Sequence, residues 1–311
     1  MPEISVVIPT YNRSAMLARA VESVRAQDFR DFEVIVVDDA STDNTEHLLR
    51  TQFGEDMEKG FLRYIRAAQN QGRSASRNDG IGQATAGLIA FLDDDDEWLP
   101  DHLANLYDFM RLYRDIGIVF SNWDTITEQT HETRPGTTNI RTGAGSAYAR
   151  LMLRALIGFP STCMVRASLV RGLGGFNVNL PPREDWELFS KCALVGGTGF
   201  VDNPTVHIYV HPGSYSKNKV QWVNATESAW NSILSFARDN GVGPGNRIVA
   251  ERALRLSRAF ITIGNFDKSR MYLKAAISHN PISVFSSITL ENTFKLIIGK
   301  DLYNKYRKWK E

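Results

Sequence analysis

Four aspartates in a row, Asp93 to Asp96, follow the apolar run Leu88-Ile-Ala-Phe-Leu92 without a spacer. The apolar run reads as a buried strand. Pro100 then stands where a helical pattern opens, a position that tolerates proline. The acids therefore fall at the carboxyl end of a core strand, where open α/β sheets bind ligands. Adjacent carboxylates repel one another, and a divalent cation relieves that repulsion. Oxygen-only ligands suit Mg²⁺ or Mn²⁺. A solvated acidic turn would have the same local composition, so the run alone does not decide between them.

The elements that must position these acids narrow the choice. Ile4 to Thr10 reads as a buried strand, and Tyr11-Asn12-Arg13 follows it. Ser14 reads as the N-cap of a helix through about Ala26, with Leu17, Ala20, Val21 and Val24 on one face. Phe32 to Asp39 is a second strand, and the next helix is expected from Ser41-Thr42-Asp43. Leu62 to Arg66 is a third, weaker strand, and Asn70-Gln-Gly-Arg73 leads into a helix holding Arg77 and Asn78. A helix over about 101–113 and a strand over 117–122 come after the acids. Such alternation predicts a Rossmann-like, mostly parallel α/β sheet flanked by helices. Three strands then end in ligand-type residues along one edge: Thr10-Tyr11, Asp38-Asp39 and the aspartate run. A chance acidic turn would not recur at successive strand ends.

The chain continues with a polar stretch, about 128–145, that reads as a mobile loop facing an acceptor. Residues 158–166 are strand-like, Gly172 to Phe176 is a turn, and Glu184-Asp185 opens an amphipathic helix after Pro181-Pro182. Two further strands are expected at 199–201 and 206–211. Beyond about Trp222 the pattern is wholly helical, which divides the chain into a catalytic domain, 1–222, and a helical C-terminal region, 223–311. Within the latter, Gly264-Asn-Phe266 and the segment after it resemble a single tetratricopeptide-type hairpin. The last stretch, 294–310, mixes bulky apolar and basic residues and is a candidate for a peripheral membrane contact, or for a terminal helix packed on its own domain.

Composition bounds the function. The chain has 311 residues, 43% hydrophobic and 23% charged, and a net charge of +1, so no basic field argues for nucleic acid. Cys163 and Cys192 make no disulfide framework and read as buried thiols in a reducing, cytoplasmic compartment. No signal peptide and no bilayer-length apolar run are visible. The chemistry that fits is a nucleoside-diphosphate site. A metal held by aspartates clamps the diphosphate, Asp39 accepts a hydrogen bond from base or ribose, and Tyr11 stacks on the base. No Walker loop is present, and no Gly-x-Gly-x-x-Gly follows the first strand.

Ser5 to Arg13, Val36 to Asp43, Asn70 to Asn78, Phe91 to Asp96, Gly174-Gly-Phe176 and Glu184-Asp185 together resemble the ordered motifs of the family-2 inverting glycosyltransferases, over roughly residues 3 to 217. The resemblance implies a GT-A fold and transfer of one sugar from a nucleotide donor, a UDP-sugar before a dTDP-sugar, with Mn²⁺ or Mg²⁺. It implies Thr10, Tyr11, Arg13, Asp39, Arg73, Arg77, Asp93 and Asp94 for the nucleotide. It implies Asp95 and His211 for the metal, with the register in the aspartate run open by one. Asp185 matches the general base and Glu184 its neighbour. A carboxylate at a helix N-terminus also serves as a simple dipole complement. The processive Gln-x-x-Arg-Trp motif is absent, which favours single addition to a glycan or lipid-linked acceptor in polysaccharide biosynthesis. A homo-oligomer is compatible with the helical region. Two other classes remain open at this level: a non-catalytic nucleotide-sugar-binding scaffold and a nucleotidyltransferase.

Overall fold

The computed structural model describes residues 1–136, 140–146, 150, 153, 158–180, 182–210, 218–282, 287–293 and 295–296. The chain forms two compact units, Met1–Ser214 and Tyr215–Glu311.

The first unit is built on a sheet in the order β3-β2-β1-β4-β9-β6-β10-β5. Strands β1 (Ile4–Thr10), β2 (Phe32–Asp38), β3 (Leu62–Arg66) and β4 (Leu88–Phe91) run parallel, with Ile4 opposite both Phe32 and Leu88. Every residue of β1, β2 and β4 is buried, as expected of strands covered on both faces. Helix α1 (Ser14–Arg25) puts Leu17, Ala20, Val21 and Val24 against Ile4, Val6 and Ile8, and α2 (Thr45–Glu58) adds Leu49 and Phe53. Each such fully buried side chain stabilises the fold by about 1.5–3 kcal/mol. Helix α3 (Arg73–Gln83) approaches β1 closely. A Cβ on Gly80 would sit 2.3 Å from Val7 Cγ1, so glycine is needed there.

The second half of the sheet departs from simple alternation. After the aspartates, Glu97–Trp98 forms β5, and Pro100 lies ahead of α4 (His102–Leu112). Strand β6 spans Ile118–Thr127, five residues past the expected end, because β10 (Thr198–Val210) and β7 (Thr133–Pro135) continue the ladder. β10 joins the two strands expected at 199–201 and 206–211 into one, with register shifts on either side of Pro204. β7 and β8 (Gly143–Ala144) are short strands within the predicted loop. β9 (Cys163–Arg166) runs antiparallel to both β4 and β6. Helices α5 (Ala167–Gly172) and α6 (Glu184–Gly196) complete the unit. Cys163 and Cys192 are free and buried, and burial pushes both thiols up, Cys192 to about 12.

Two helix starts differ from the sequence reading. Ser14 is the first residue of α1 and not its cap; its hydroxyl donates to Asn44 Oδ1 (2.9 Å) and its N–H goes to Asp43 Oδ2 (3.2 Å). Helix α2 begins at Thr45, whose N–H donates to Asp43 Oδ1 (3.0 Å), and ahead of it the N–H groups of Ser41 and Thr42 donate to Asp38 Oδ1 (2.8 Å) and Asn12 Oδ1 (2.7 Å). The loops after β1 and β2 thus cap each other.

The second unit contains α7 (Lys219–Asp239), α8 (Asn246–Thr262) and α9 (Phe266–His279). The α8–α9 turn is closed by Asn265, whose side chain accepts from Lys268 N (3.1 Å). Between the two helices, Ser257 and Ser269 hydroxyls lie 2.9 Å apart and are buried. Among the described residues no helix is long and apolar enough to cross a membrane. Most of the basic-aromatic stretch 294–310 lies outside the described residues.

His102 is fully buried, stacked on Trp98 at 4.4 Å, with Nδ1 2.8 Å from Thr205 Oγ1. Burial lowers its pKa to about 3. An unfolded chain protonates this ring near pH 6.5, so it binds one proton more than the folded chain between about pH 6.5 and 3. Stability is therefore expected to fall as pH drops below about 6.5, by up to about 1.4 kcal/mol per pH unit from this group. Urea unfolding of wild type and His102→Phe at pH 7, 6 and 5 checks this: the variant should lose that part of the slope, and equal slopes would contradict it.

Candidate active site

The aspartate run turns sharply, with Asp96 N–H donating to Asp93 O (3.1 Å), and its four side chains diverge. Asp93 meets Arg77 Nη2 at 2.5 Å. Asp94 is buried and accepts from Thr10 Oγ1 (2.8 Å) and Arg13 Nη1 (3.0 Å). Asp95 takes the same Arg13 nitrogen at 2.8 Å, and its carbonyl accepts from Arg19 Nη2 (2.8 Å). Asp96 points inward, accepting from Ser161 Oγ (2.5 Å) and Tyr209 N (3.2 Å). Burial, with Asp95 and Asp93 beside it, pushes Asp96 well above the usual carboxylate range. Burial and then Asp95 raise Asp94 to about 6 against the pull of Arg13. The fourth acid of the run is thus tied into the interior, while Asp93 and Asp95 keep 26% and 20% of their side chains exposed at the sheet edge.

Asp39 sits at the end of β2 and is buried. Its two oxygens accept from Gln71 N (2.8 Å) and Gly72 N (2.7 Å), so it fixes the turn that starts α3. Asp38 beside it accepts from Ser41 N (2.8 Å) and Tyr64 OH (2.5 Å). Tyr11 stands open above this end of the sheet, 44% exposed.

Helix α3 carries two arginines onto one carboxylate. Arg73 Nε lies 2.6 Å and Arg77 Nη1 3.3 Å from Glu184 Oε1. Glu184 and Asp185 begin α6, and the residue before them, Arg183, holds a left-handed φ of 83°. A non-glycine residue in that conformation is strained, and strain of this kind collects at functional turns. Asp185 is half-buried and accepts from Trp186 N (2.6 Å). Burial first, then Glu184, raises its pKa, with Arg73 and Arg77 pulling the other way. The Gly174-Gly175-Phe176 turn is clamped by Asn78, which donates to Phe176 O (2.8 Å) and accepts from Phe176 N (2.7 Å). Gly175 has φ 73°, and a Cβ there would meet Asn78 Oδ1 at 2.3 Å.

Two sets of contacts therefore meet along the backbone of the aspartate run: Thr10, Arg13, Asp94 and Asp95 form one, and Asp93, Arg77, Glu184 and Arg73 the other, with Asp39 holding the Gln71–Gly72 turn ahead of Arg73. His211 lies outside the described residues. Three further side chains belong to the edge although their sequence context gave no sign of it. Ser161 bonds Asp96 and accepts from Asp93 N (3.1 Å). Arg19 lies 3.9 Å from the centre of the Tyr209 ring and 3.6 Å from Glu97 Oε1. Tyr209 in turn donates its hydroxyl to Glu97.

Among the described residues no group of three or more His, Cys, Asp or Glu side chains forms a cage for a metal. The exposed oxygens of Asp93 and Asp95 nevertheless fit an ion of the Mg²⁺ or Mn²⁺ type. Such ions are bound through one or two carboxylates plus phosphate oxygens from a ligand.

A mostly parallel sheet with acids at its carboxyl edge and a second acidic site on a facing helix defines the GT-A class of glycosyltransferase folds. S. aureus TarS 1-349 in complex with UDP is similar in structure, with a TM-score of 0.62 and 19% identity over 89% of this chain and 92% of that one. So is the mannosyltransferase PcManGT from Pyrobaculum calidifontis in complex with GDP-Man and Mn²⁺, with a TM-score of 0.55 and 18% identity over 99% and 88%. The chain belongs to glycosyl transferase family 2, whose model matches residues 5–174. A relative in Campylobacter jejuni, a GalNAc(5)-diNAcBac-PP-undecaprenol beta-1,3-glucosyltransferase, is 42% identical over 109 residues, 34% of each chain. The Bacillus subtilis relative TuaG, a putative teichuronic acid biosynthesis glycosyltransferase, is 36% identical over 109 residues, 35% of this chain and 42% of its own. The matched segments thus span well under half of these relatives.

Ser161→Ala removes the hydroxyl that bonds both Asp96 and the Asp93 N–H. Leaving a buried acceptor unpaired costs about 1–3 kcal/mol, and urea unfolding should read a loss in that range. An unchanged midpoint would mean that the acid turn holds without Ser161.

Proposed function

We propose that the chain is a metal-dependent, inverting, non-processive glycosyltransferase. It moves one sugar from a nucleoside-diphosphate donor, a UDP-sugar, to a glycan or lipid-linked acceptor in the assembly of a cell-surface polysaccharide. The observation that carries this reading is that Asp93 and Glu184, the residue next to Asp185, lie on the two arms of the Arg77 guanidinium. An acid from a donor-type strand end is thereby tied to the residue that precedes the candidate base. Relatives named for undecaprenol-linked and teichuronic acid substrates support the acceptor class, and a neighbour bound to UDP supports the nucleoside.

Each residue has a task that its surroundings allow. The exposed ring of Tyr11 stacks on the base, and Thr10, Arg13 and Asp39 line the base and ribose. Arg73, 41% exposed, is the cation of α3 that a diphosphate can reach. Asp185 takes the proton from the acceptor hydroxyl as that oxygen attacks the anomeric carbon from the face opposite the leaving diphosphate, which inverts the centre. Its raised pKa makes it a stronger proton acceptor than an ordinary aspartate. A divalent cation held by Asp95, with Asp93 or Asp94 and His211 beside it, would neutralise charge on the leaving diphosphate. No second protein acid is then required.

The test is UDP release across a panel of UDP-sugars with Mn²⁺ and a lipid-linked acceptor. Asp185→Asn should lower turnover by about 10²–10⁴-fold with donor binding retained, and full activity in that variant removes the base assignment. The acid register is tested by melting. UDP with Mn²⁺ should raise the melting temperature of wild type and Asp96→Asn. Asp95→Asn should lose the Mn²⁺-dependent part of that rise. The opposite pattern would shift the metal-binding position by one residue.

A further inference from the structure

Arg77, which the glycosyltransferase motifs associate with the nucleotide, is almost wholly enclosed. Its side chain is 2% exposed, and its two terminal nitrogens are spent on Asp93 Oδ1 (2.5 Å) and Glu184 Oε1 (3.3 Å). The Phe176 ring lies 5.2 Å from its guanidinium carbon and closes one face. Its Nε and Glu184 Oε2 are buried with no hydrogen-bond partner among the described residues. An arginine so enclosed presents almost no surface to a diphosphate. Arg73 differs: it meets the same Glu184 oxygen at 2.6 Å but is 41% exposed.

We infer that Arg77 is a positioning residue, whose rigid guanidinium sets the spacing between the donor-side acid Asp93 and the start of the helix that carries Asp185. This inference rests on the transfer reading above. The physical basis is the planar fork of arginine, which holds two carboxylates at a fixed separation, as a lysine ammonium does not. The fork is itself anchored. Gly80 seats α3 against Val7, and Asn78, next to Arg77, grips Phe176 through two hydrogen bonds. Asp93 follows β4, and Glu184 opens α6, so the single side chain spans three elements. Arg77 touches neither donor nor acceptor; it acts through Glu184 and Asp93.

The test compares Arg77→Lys and Arg77→Gln in turnover, donor KM and the pH profile of kcat. The groups facing Asp185 are Glu184, Arg73, Arg77, Arg183 and, more distantly, Cys163. Arg77→Lys keeps the charge and loses the fork. It should lower kcat by about 10²-fold, since misplacement near 1 Å has that effect, with donor KM within about threefold and the acid limb of the profile unmoved. Arg77→Gln should lower kcat equally and move the acid limb to higher pH. Wild-type kcat in Arg77→Lys overturns the proposal. So does a raised donor KM with unchanged kcat, which would make Arg77 a donor contact.

A readout without turnover keeps the two readings separable. Asp93→Asn and Glu184→Gln should be non-additive in urea unfolding when Arg77 is present and additive in an Arg77→Met background. Additivity in the wild-type background overturns the bridge even if no donor sugar is ever transferred.

Discussion

Repulsion among carboxylates at one edge of the sheet is the constraint on which the site depends. Asp38, Asp39, the aspartate run, Glu184 and Asp185 all come to this edge. Most are shielded from water, where like charges repel more strongly than in solvent. The fold answers with two arginines used twice each. Arg13 spans Asp94 and Asp95, and Arg77 spans Asp93 and Glu184. The remaining acids are quieted by hydrogen bonds: Asp39 by two backbone N–H groups and Asp96 by Ser161 and Tyr209. Compensation by hydrogen bonds and fixed guanidinia leaves Asp93 and Asp95 accessible at the rim. The acids at this edge are thus balanced by the chain's own groups.

The same economy governs the loops. At α1 to α4 the N-cap side chain makes no capping bond, and at the starts of α1 and α3 the loop after β2 supplies the acceptors, Asp43 and Asp39. Asn12 and Asp43 exchange roles across the β1 and β2 ends, and Asp39 closes the turn into α3. The segments that would touch a nucleotide are thus hydrogen-bonded to one another before any ligand arrives. Such mutual support limits the ordering that binding must impose on them.

The parallel half of the sheet was legible because β1, β2 and β4 are continuous apolar runs ending in polar residues, a pattern that burial on both faces imposes. The acidic edge was legible for the same reason, and the family-2 membership follows from the motifs at those strand ends. The second half was harder to read. Pro204 interrupts β10, and the two halves look like separate strands until pairing with β6 bridges the shift. Glu97–Trp98 is too short to announce itself, and it exists only because Val206 and His207 lie opposite. At the starts of α1 and α2 some backbone donors meet acceptors about thirty positions away, Ser14 N–H on Asp43 and Thr42 N–H on Asn12, which local capping rules do not see. Ser161 and Arg19 act on the acids only through the tertiary fold.

The reversed strand β9 has a consequence for substitutions in the segment before it. It enters the sheet between β4 and β6 running against both, so its first residues arrive beside the tips of the strand that bears the aspartates. Ser161 is thereby stitched to the acids from behind, and Trp98 Nε1 on β5 secures its carbonyl at 2.6 Å. The stretch of polypeptide between β6 and β9 is held at both borders and also partway along, where β7 pairs with β6 and β8 with β10. A change at an exposed residue of that insert, such as Gln129, leaves untouched the bonds that Ser161 and Trp98 make at the charged rim.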